Sequence, residues 1–280
     1  MPNAYNDRIV DEFRARHGRV AEYEGSRLLL LTTRGARTGR PHTTPLGYLP
    51  DGDRVLVIAS SLGAPTHPAW FHNLVADPTV TVEDGVFTYE ARAEVLTGEE
   101  RDRLYARAVE ADPEWAEYQA RTTRVIPVVA LHRVSTGPPQ GGSWGQALVL
   151  LHDAFRRELA LVRDEIARGG TTLGAQLRVS CLTVCSGLHR HHEGEDTGMF
   201  PMLGQDPSLA PVLDRLRAEH AEIKALLDEL QAAVGEDAAD RDTADRDATL
   251  REVDRLVDEL GRHLAYEEEQ LVPVLDAARG

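Results

Sequence analysis

Four segments in the second half of this 280-residue chain repeat apolar residues at alternating steps of three and four, and each carries a histidine on that repeat. Such spacing puts the residues on one face of an α-helix, and a helix with one apolar face must bury it against its neighbours. In 144–168 the seam reads Leu148, His152, Phe155, Leu159, Val162, Ile166; in 172–195 it reads Leu177, Cys181, Val184, Leu188, His191, Glu195. In 209–234 it reads Leu213, Leu216, His220, Ile223, Leu227, Leu230, and in 248–278 Val253, Leu256, Leu260, His263, Glu267. The fold this pattern specifies is an all-α, up-down four-helix bundle in which every helix directs imidazole inward and two direct a carboxylate inward as well.

One histidine on an apolar face is ordinarily a core residue with its hydrogen bonds satisfied. Four helices doing the same is a different matter, because two buried carboxylates then lie beside four imidazoles with no basic partner; the only lysine of the chain is Lys224. An unpaired buried carboxylate costs several kcal/mol, and a bound cation supplies the missing charge. His and Glu four apart share a helical face. The spacing therefore predicts a binuclear metal site formed by His152, His191, Glu195, His220, His263 and Glu267. An internal echo supports the register: His191 and Glu195 followed by Pro201 match His263 and Glu267 followed by Pro273, as in duplicated half-bundles. His192 and Asp196 form a second pair four apart, but seam and echo both favour His191 and Glu195, leaving His189 and His192 as flanking or surface residues. Ligands that are all nitrogen and oxygen suit iron or manganese and argue against structural zinc. Six side chains hold two ions only if carboxylates or solvent bridge them, which leaves coordination positions open for a small molecule.

Residues 135–143, STGPPQGGS, form an aperiodic Pro, Gly and Ser cluster that marks a linker between domains at 1–134 and 144–280. Before it come β-rich runs at 27–33, 42–49, 54–60, 79–83, 86–95 and 125–133, with helical stretches at 6–16, 68–76 and 98–120. The polar stretch between the last two long helices, rich in Asp and Ala, is expected to be a mobile loop. Of the net charge of −15, residues after Pro138 hold 15 basic and 27 acidic residues, so that half carries −12. Such a surface repels nucleic acid and anionic membranes. No apolar run reaches the ~20 residues of a membrane span and no secretory signal opens the chain, so a cytoplasmic protein is expected. Cys181 and Cys185, four apart in a helical stretch, are expected to be small buried hydrophobes.

The pattern of one His, HxxxE, one His and HxxxE resembles the hemerythrin-like, cation-binding HHE family over nearly all of 144–278. That resemblance implies a di-iron centre. In oxygen-carrying hemerythrins the third helix usually adds a histidine four residues on; here that position is Lys224. Fewer nitrogen ligands are therefore expected, favouring reactions with or sensing of oxygen, peroxide or nitric oxide over reversible oxygen storage.

In the first domain, Arg37, Thr38 and their flanking glycines form a turn between two strands, a reasonable anion clamp. Together with the runs IASSLG at 58–63, HPAWFHNL at 67–74, Asp77-Pro78 and RVIP at 124–127, this turn resembles the deazaflavin-dependent nitroreductase family over 5–133. The resemblance implies a split β-barrel that binds the deazaflavin coenzyme F-420. It places the coenzyme's acidic tail near Arg37 and Thr38, lines the pocket with His42, Thr43, Thr44, Pro45 and Leu46, and sets Ala59, Ser60 and Ser61 against the ring. Trp70 and Asn73 would stand beside it, or serve equally as core packing and helix capping. Where nitro-reducing members have tyrosines the chain has Gly47, Asp112 and Trp115, and only Tyr118 remains as a catalytic candidate. The sequence thus reads as an α+β two-domain redox protein, a deazaflavin-dependent oxidoreductase fused to a di-iron bundle, with flavin mononucleotide (FMN) as the alternative cofactor. The rival reading is a non-catalytic sensor or iron-binding protein whose barrel only holds a ligand. Organic substrate and oligomeric state are left open.

Overall fold

The computed structural model describes residues 4–135, 142–168, 173–234 and 246–277. Most of the expected linker and residues 235–245 of the expected loop fall outside the described residues, and the last helix begins at Arg246, two residues earlier than expected. The chain divides into two compact units, Met1–Gln140 with Gly174–Gln176, and Gly141–Leu173 with Leu177–Gly280.

The first unit is a closed six-stranded barrel. Helix α1 (Ala4–Ala15) precedes β1 (Leu28–Arg34), β2 (Pro41–Asp51) and β3 (Arg54–Ile58); α2 (Ala69–Ala76) leads to β4 (Thr79–Glu83) and β5 (Thr88–Val95); α3 (Gly98–Ala111) and α4 (Glu114–Ala120) precede β6 (Val128–Arg133). The strands close in the order β1-β2-β3-β6-β5-β4, and every pairing is antiparallel. Sequence pattern explains which faces are covered. In β5 burial alternates strictly, with Tyr89, Ala91 and Ala93 turned into the barrel and polar residues outward, the signature of a strand buried on one side. Strand β1 is instead apolar at four consecutive positions. Leu29 and Leu31 enter the barrel core, whereas Leu28 and Leu30 pack outward beneath Ile9, Val10 and Phe13 of α1. Strands β3 and β6 are covered in the same way by Leu104, Tyr105 and Ala108 of α3 and Tyr118 of α4. The outward residues of β4 and β5 are exposed, and most residues of β2 are half-buried or exposed.

The helix expected over 98–120 is two helices. Asp112, which precedes Pro113, is extended at φ −148° and ψ 107°. The proline ring crowds the residue before it out of the helical region, so the chain turns there and restarts.

The second unit is helical: α5 (Trp144–Arg168), α6 (Ala175–Gly194), a π-helical turn (Glu195–Met199), α7 (Phe200–Leu203), α8 (Ala210–Val234) and α9 (Arg246–Ala277). Residues from α5, α6, α8 and α9 share one apolar cluster that includes Leu159, Leu188, Ile223 and Leu260, with Cys181 and Cys185 fully buried in it as small apolar groups. A second cluster, with Leu148, Phe200, Leu216 and Leu271, draws on α5, α7, α8 and α9. On α5 and α8 the seam histidine falls between the two clusters in sequence, while on α9 His263 stands between Leu260 and Leu264 of the first. No helix among the described residues is long and apolar enough to cross a membrane.

The docking of α1 rests on Phe13, which is 1% exposed. Phe13→Ala should lower the stability of the barrel unit by about 3–5 kcal/mol, as truncation of a buried aromatic does. Urea unfolding of the full chain, followed by the signal of the barrel transition, measures this; a change under about 1 kcal/mol would mean that α1 is not held by this contact.

Candidate functional site

The seam geometry brings the six expected metal ligands together and adds a seventh residue. Two groups of ligand atoms form, each within 4.8 Å: His152, His191, Glu195 and Glu267 in one, His192, His220 and His263 in the other. The carboxylates straddle both. Glu195 lies 3.2 Å from His191 Nε2 and 3.5 Å from His220 Nε2, and Glu267 lies 3.6 Å from both His152 Nε2 and His263 Nε2. The Nε2 atoms of His152 and His191 face each other at 3.1 Å. Rings enclose the rest: His192 stacks on His220 at 4.2 Å between centroids, and Phe200 stacks against His220 at 5.4 Å.

Burial makes this arrangement costly as it stands. His152, His192, Glu195, His220, His263 and Glu267 are all 5% exposed or less. Seven buried atoms have no hydrogen-bond partner: Nε2 of His192, His220 and His263 and both carboxylate oxygens of Glu195 and Glu267. An orphaned buried polar group costs about 1–3 kcal/mol, and more when charged. Lys224, the only lysine, is spent on Asp228 at the surface. Burial lowers the affinity of His191, His192 and His220 for protons and brings His263 down to about 4, which keeps imidazole in its neutral, ligating form. Burial pushes Glu195 and Glu267 the other way, above the usual carboxylate range. A cation set among these atoms would answer every orphaned acceptor and restore the charged carboxylates. The residues present therefore fit a pair of metal ions, for which five imidazoles and two carboxylates would be the available ligands.

Two expectations are corrected here. His192 is not a flanking or surface residue: it is buried, and its Nε2 faces the cluster. The shortage of nitrogen expected from Lys224 is offset by His192 on α6, which brings the imidazoles available to a metal to five. A helical projection carries the signal that the seam argument passed over. Successive residues are about 100° apart, which places Glu195 about 40° from His191 and 60° from His192, so the two imidazoles flank the carboxylate. His189 stays outside the cluster, 3.4 Å from Asp228.

The helix expected to end at Glu195 widens there into a π-turn, a feature that recurs at functional sites. Gly194 and Gly198 weaken the α-helix at this point, and Pro201 has no N–H to return to it. The equivalent Pro273 stays inside α9.

On the barrel, the β1–β2 hairpin closes with Gly35 N–H donating to Arg40 and with Gly39 at φ +66°. A side chain at Gly35 would meet Thr38 Oγ1 at 2.7 Å and His42 Nε2 at 2.9 Å. Asn73 braces this turn, accepting from Ala36 N–H at 3.0 Å and donating to Thr33 Oγ1 at 3.1 Å. Trp70 is buried in the barrel core. Trp70 therefore packs in the core, while Asn73, in the middle of α2, caps no helix and spends its amide on the hairpin. Arg34, Arg37 and Arg40 project from the hairpin, exposed and without an ion pair among the described residues. Thr43 pairs its hydroxyl with Thr32 at 2.8 Å on half-buried β2, where Thr44, Pro45 and Leu46 follow.

Beside Ala59, which is fully buried, the loop carries two non-glycine residues with left-handed backbones, Ser61 at φ 48° and Leu62 at φ 54°. Such conformations persist only where the surroundings impose them. Arg124 does so, donating to the carbonyls of Ser60 and Ala64 and contacting His67 Nδ1 at 3.0 Å; no pattern argument singled it out beyond its place in RVIP. Tyr118 donates its hydroxyl to Glu114, and burial with that bond raises its pKa to about 12.

Comparison with known proteins matches residues 5–133 to the family F420H(2)-dependent quinone reductase and residues 146–275 to the hemerythrin HHE cation binding domain. F420H(2)-dependent quinone reductases of Mycobacterium tuberculosis strains CDC 1551 and H37Rv are each 42% identical over 110 residues, which is 38% of this chain and 72% of theirs. A solved F420-H2 dependent reductase (FDR-A) is 40% identical, with 38% of this chain and 94% of that one covered and a TM-score of 0.36. Through its first 133 residues the chain belongs to the F420H(2)-dependent quinone reductase family, a family of oxidoreductases, and it joins to that a hemerythrin HHE domain.

Proposed function

We propose that this chain is a redox protein with two separate centres. The barrel unit, of split-barrel type, takes reduced coenzyme F-420 and passes its hydride to an organic acceptor of the quinone class. The helical unit is a four-helix bundle holding two iron ions on His152, His191, His192, Glu195, His220, His263 and Glu267, where it reacts with oxygen, peroxide or nitric oxide. The observation that carries this reading is the set of seven orphaned polar atoms buried on helices that also supply the two apolar clusters.

Iron bound there would supply a redox-active Lewis acid with coordination positions to spare for a small ligand. The protein's own part is to hold neutral imidazoles and two spanning carboxylates in place and to keep bulk water out with Phe155, Phe200 and the leucines on either side. On the barrel, Arg34, Arg37 and Arg40 take up the coenzyme's acidic tail with Thr38, and half-buried β2 with the Ala59 to Ser61 stretch lies along its ring. Because Tyr118 is committed to Glu114 one turn earlier on α4, it stabilises its own helix rather than standing ready to give up a proton. The relatives' names favour the deazaflavin over flavin mononucleotide, and quinones over nitro compounds, as the partners to test first.

The purified chain should hold two iron ions. Glu195→Ala and His192→Ala should each lose at least one, with a lower melting temperature because metal bound only to the folded state stabilises it by mass action. Elemental analysis decides this: one tightly held zinc and no iron, or full iron in both variants, would overturn the site.

Reduced F-420 should be oxidised by a soluble quinone under anaerobic conditions. Arg37→Ala should raise the KM for the coenzyme roughly ten- to hundredfold, the equivalent of losing a hydrogen bond to a charged group. Recovery of the oxidised coenzyme's visible absorbance follows the reaction; no oxidation by the wild type, or an unchanged KM in the variant, would count against the assignment.

A further inference from the structure

Three further carboxylates surround the buried cluster, and each is the immediate sequence neighbour of a residue inside it: Asp196 beside Glu195, Glu219 beside His220, Glu268 beside Glu267. None serves the imidazole of its own helix. Asp196, in the π-turn, hydrogen-bonds Nδ1 of His220 on α8 at 3.0 Å. Glu219 on α8 bonds Nδ1 of His263 on α9 at 2.9 Å, and Glu268 on α9 bonds Nδ1 of His152 on α5 at 2.9 Å. An ionised carboxylate only accepts, so in each pair Nδ1 carries the proton and Nε2 is left with a lone pair. Those Nε2 atoms are the ones turned toward Glu195 and Glu267.

Two of the three carboxylates are gripped from outside. Arg156 Nη1 lies 2.8 Å from Glu268 Oε1, and Arg215 Nε lies 2.7 Å from Glu219 Oε1, with its guanidinium 3.6 Å over the ring of Tyr266. All three are partly buried, with side-chain exposures of 37% for Asp196, 23% for Glu219 and 22% for Glu268. They are thus neither free surface charges nor ligands. The π-turn belongs to the same device, since it is the segment from which Asp196 reaches across to α8.

We propose that Asp196, Glu219 and Glu268 are positioning residues that form a directed series of cross-helix contacts, each helix fixing the ligating nitrogen of the next. A carboxylate on the far nitrogen makes an imidazole a stronger donor and favours the higher oxidation state of a metal it binds. The series therefore orders three helices about the centre and holds its reduction potential low. This inference rests on the di-iron reading given above.

The test uses the full-length chain loaded with ferrous iron, comparing Asp196→Asn, Glu219→Gln and Glu268→Gln with Glu222→Gln, an exposed carboxylate on α8 that makes no hydrogen bond described here. Circular dichroism confirms the fold, competition with a chelator gives iron affinity, and spectroelectrochemistry gives the reduction potential. Each of the three variants should bind iron roughly 10–100-fold more weakly, as removal of an outer-shell partner does, and should shift the potential positive. Glu222→Gln should change neither. The three contacts are on different helix pairs, so any two folded variants suffice. Wild-type affinity and potential in those variants would overturn this inference alone, with the metal site standing. A wild-type chain that takes up no iron would overturn the di-iron reading and this inference with it.

Discussion

Two glutamates buried beside five imidazoles are the constraint on which the helical unit turns. Each carboxylate faces an imidazole from both ligand groups, at 3.2 to 3.6 Å, and none of its oxygens finds a hydrogen bond. In an apolar interior such a layer opposes folding unless positive charge enters it. Apolar clusters that include Leu188, Leu260 and Leu264, and Phe200 and Leu271, are built on the same helical unit and leave these polar groups almost no contact with water. The same burial that makes an unpaired carboxylate costly makes every charge interaction there strong.

The barrel solves the opposite problem. Its interior is filled by Leu29, Leu31, Val57, Val82, Ala91 and Val129, and helices cover β1, β3 and β6 from outside. The outward faces of β4 and β5 carry exposed polar residues, and β2 with the hairpin that feeds it is half-buried or exposed along most of its length. Three exposed arginines stand there without an ion pair among the described residues, whereas the imidazoles of the helical unit are buried in groups that could hold a metal ion. Asn73 and Arg124 do not face outward in this scheme. They spend their polar atoms bracing, respectively, the hairpin and the strained Ser61–Leu62 backbone, which holds the open face in shape.

The seams of α5, α6, α8 and α9 were legible from spacing because helical periodicity is a local property, and the expected residues from Leu148 to Glu267 lie where that period puts them. The β-rich runs were legible for the same reason, with ends displaced by a few residues where prolines such as Pro127 intervene. His192 was passed over because a seam names one residue per turn, while a ligand needs only a side chain long enough to reach inward from beside it. Proline 113 was visible in the sequence but was outweighed by the helical composition around it.

Local chemistry in the sequence determined the residue types: which helices carry imidazole, which carry carboxylate, that no thiolate and no lysine could join them, and that an arginine-rich turn joins the first two strands. The tertiary structure alone decided partnership. That Asp196, Glu219 and Glu268 each reach an imidazole on another helix, and that His192 joins His220 and His263, depends on how helices are rotated and staggered against one another. Those rotations are set by the packing of many side chains at once, and no local period encodes them.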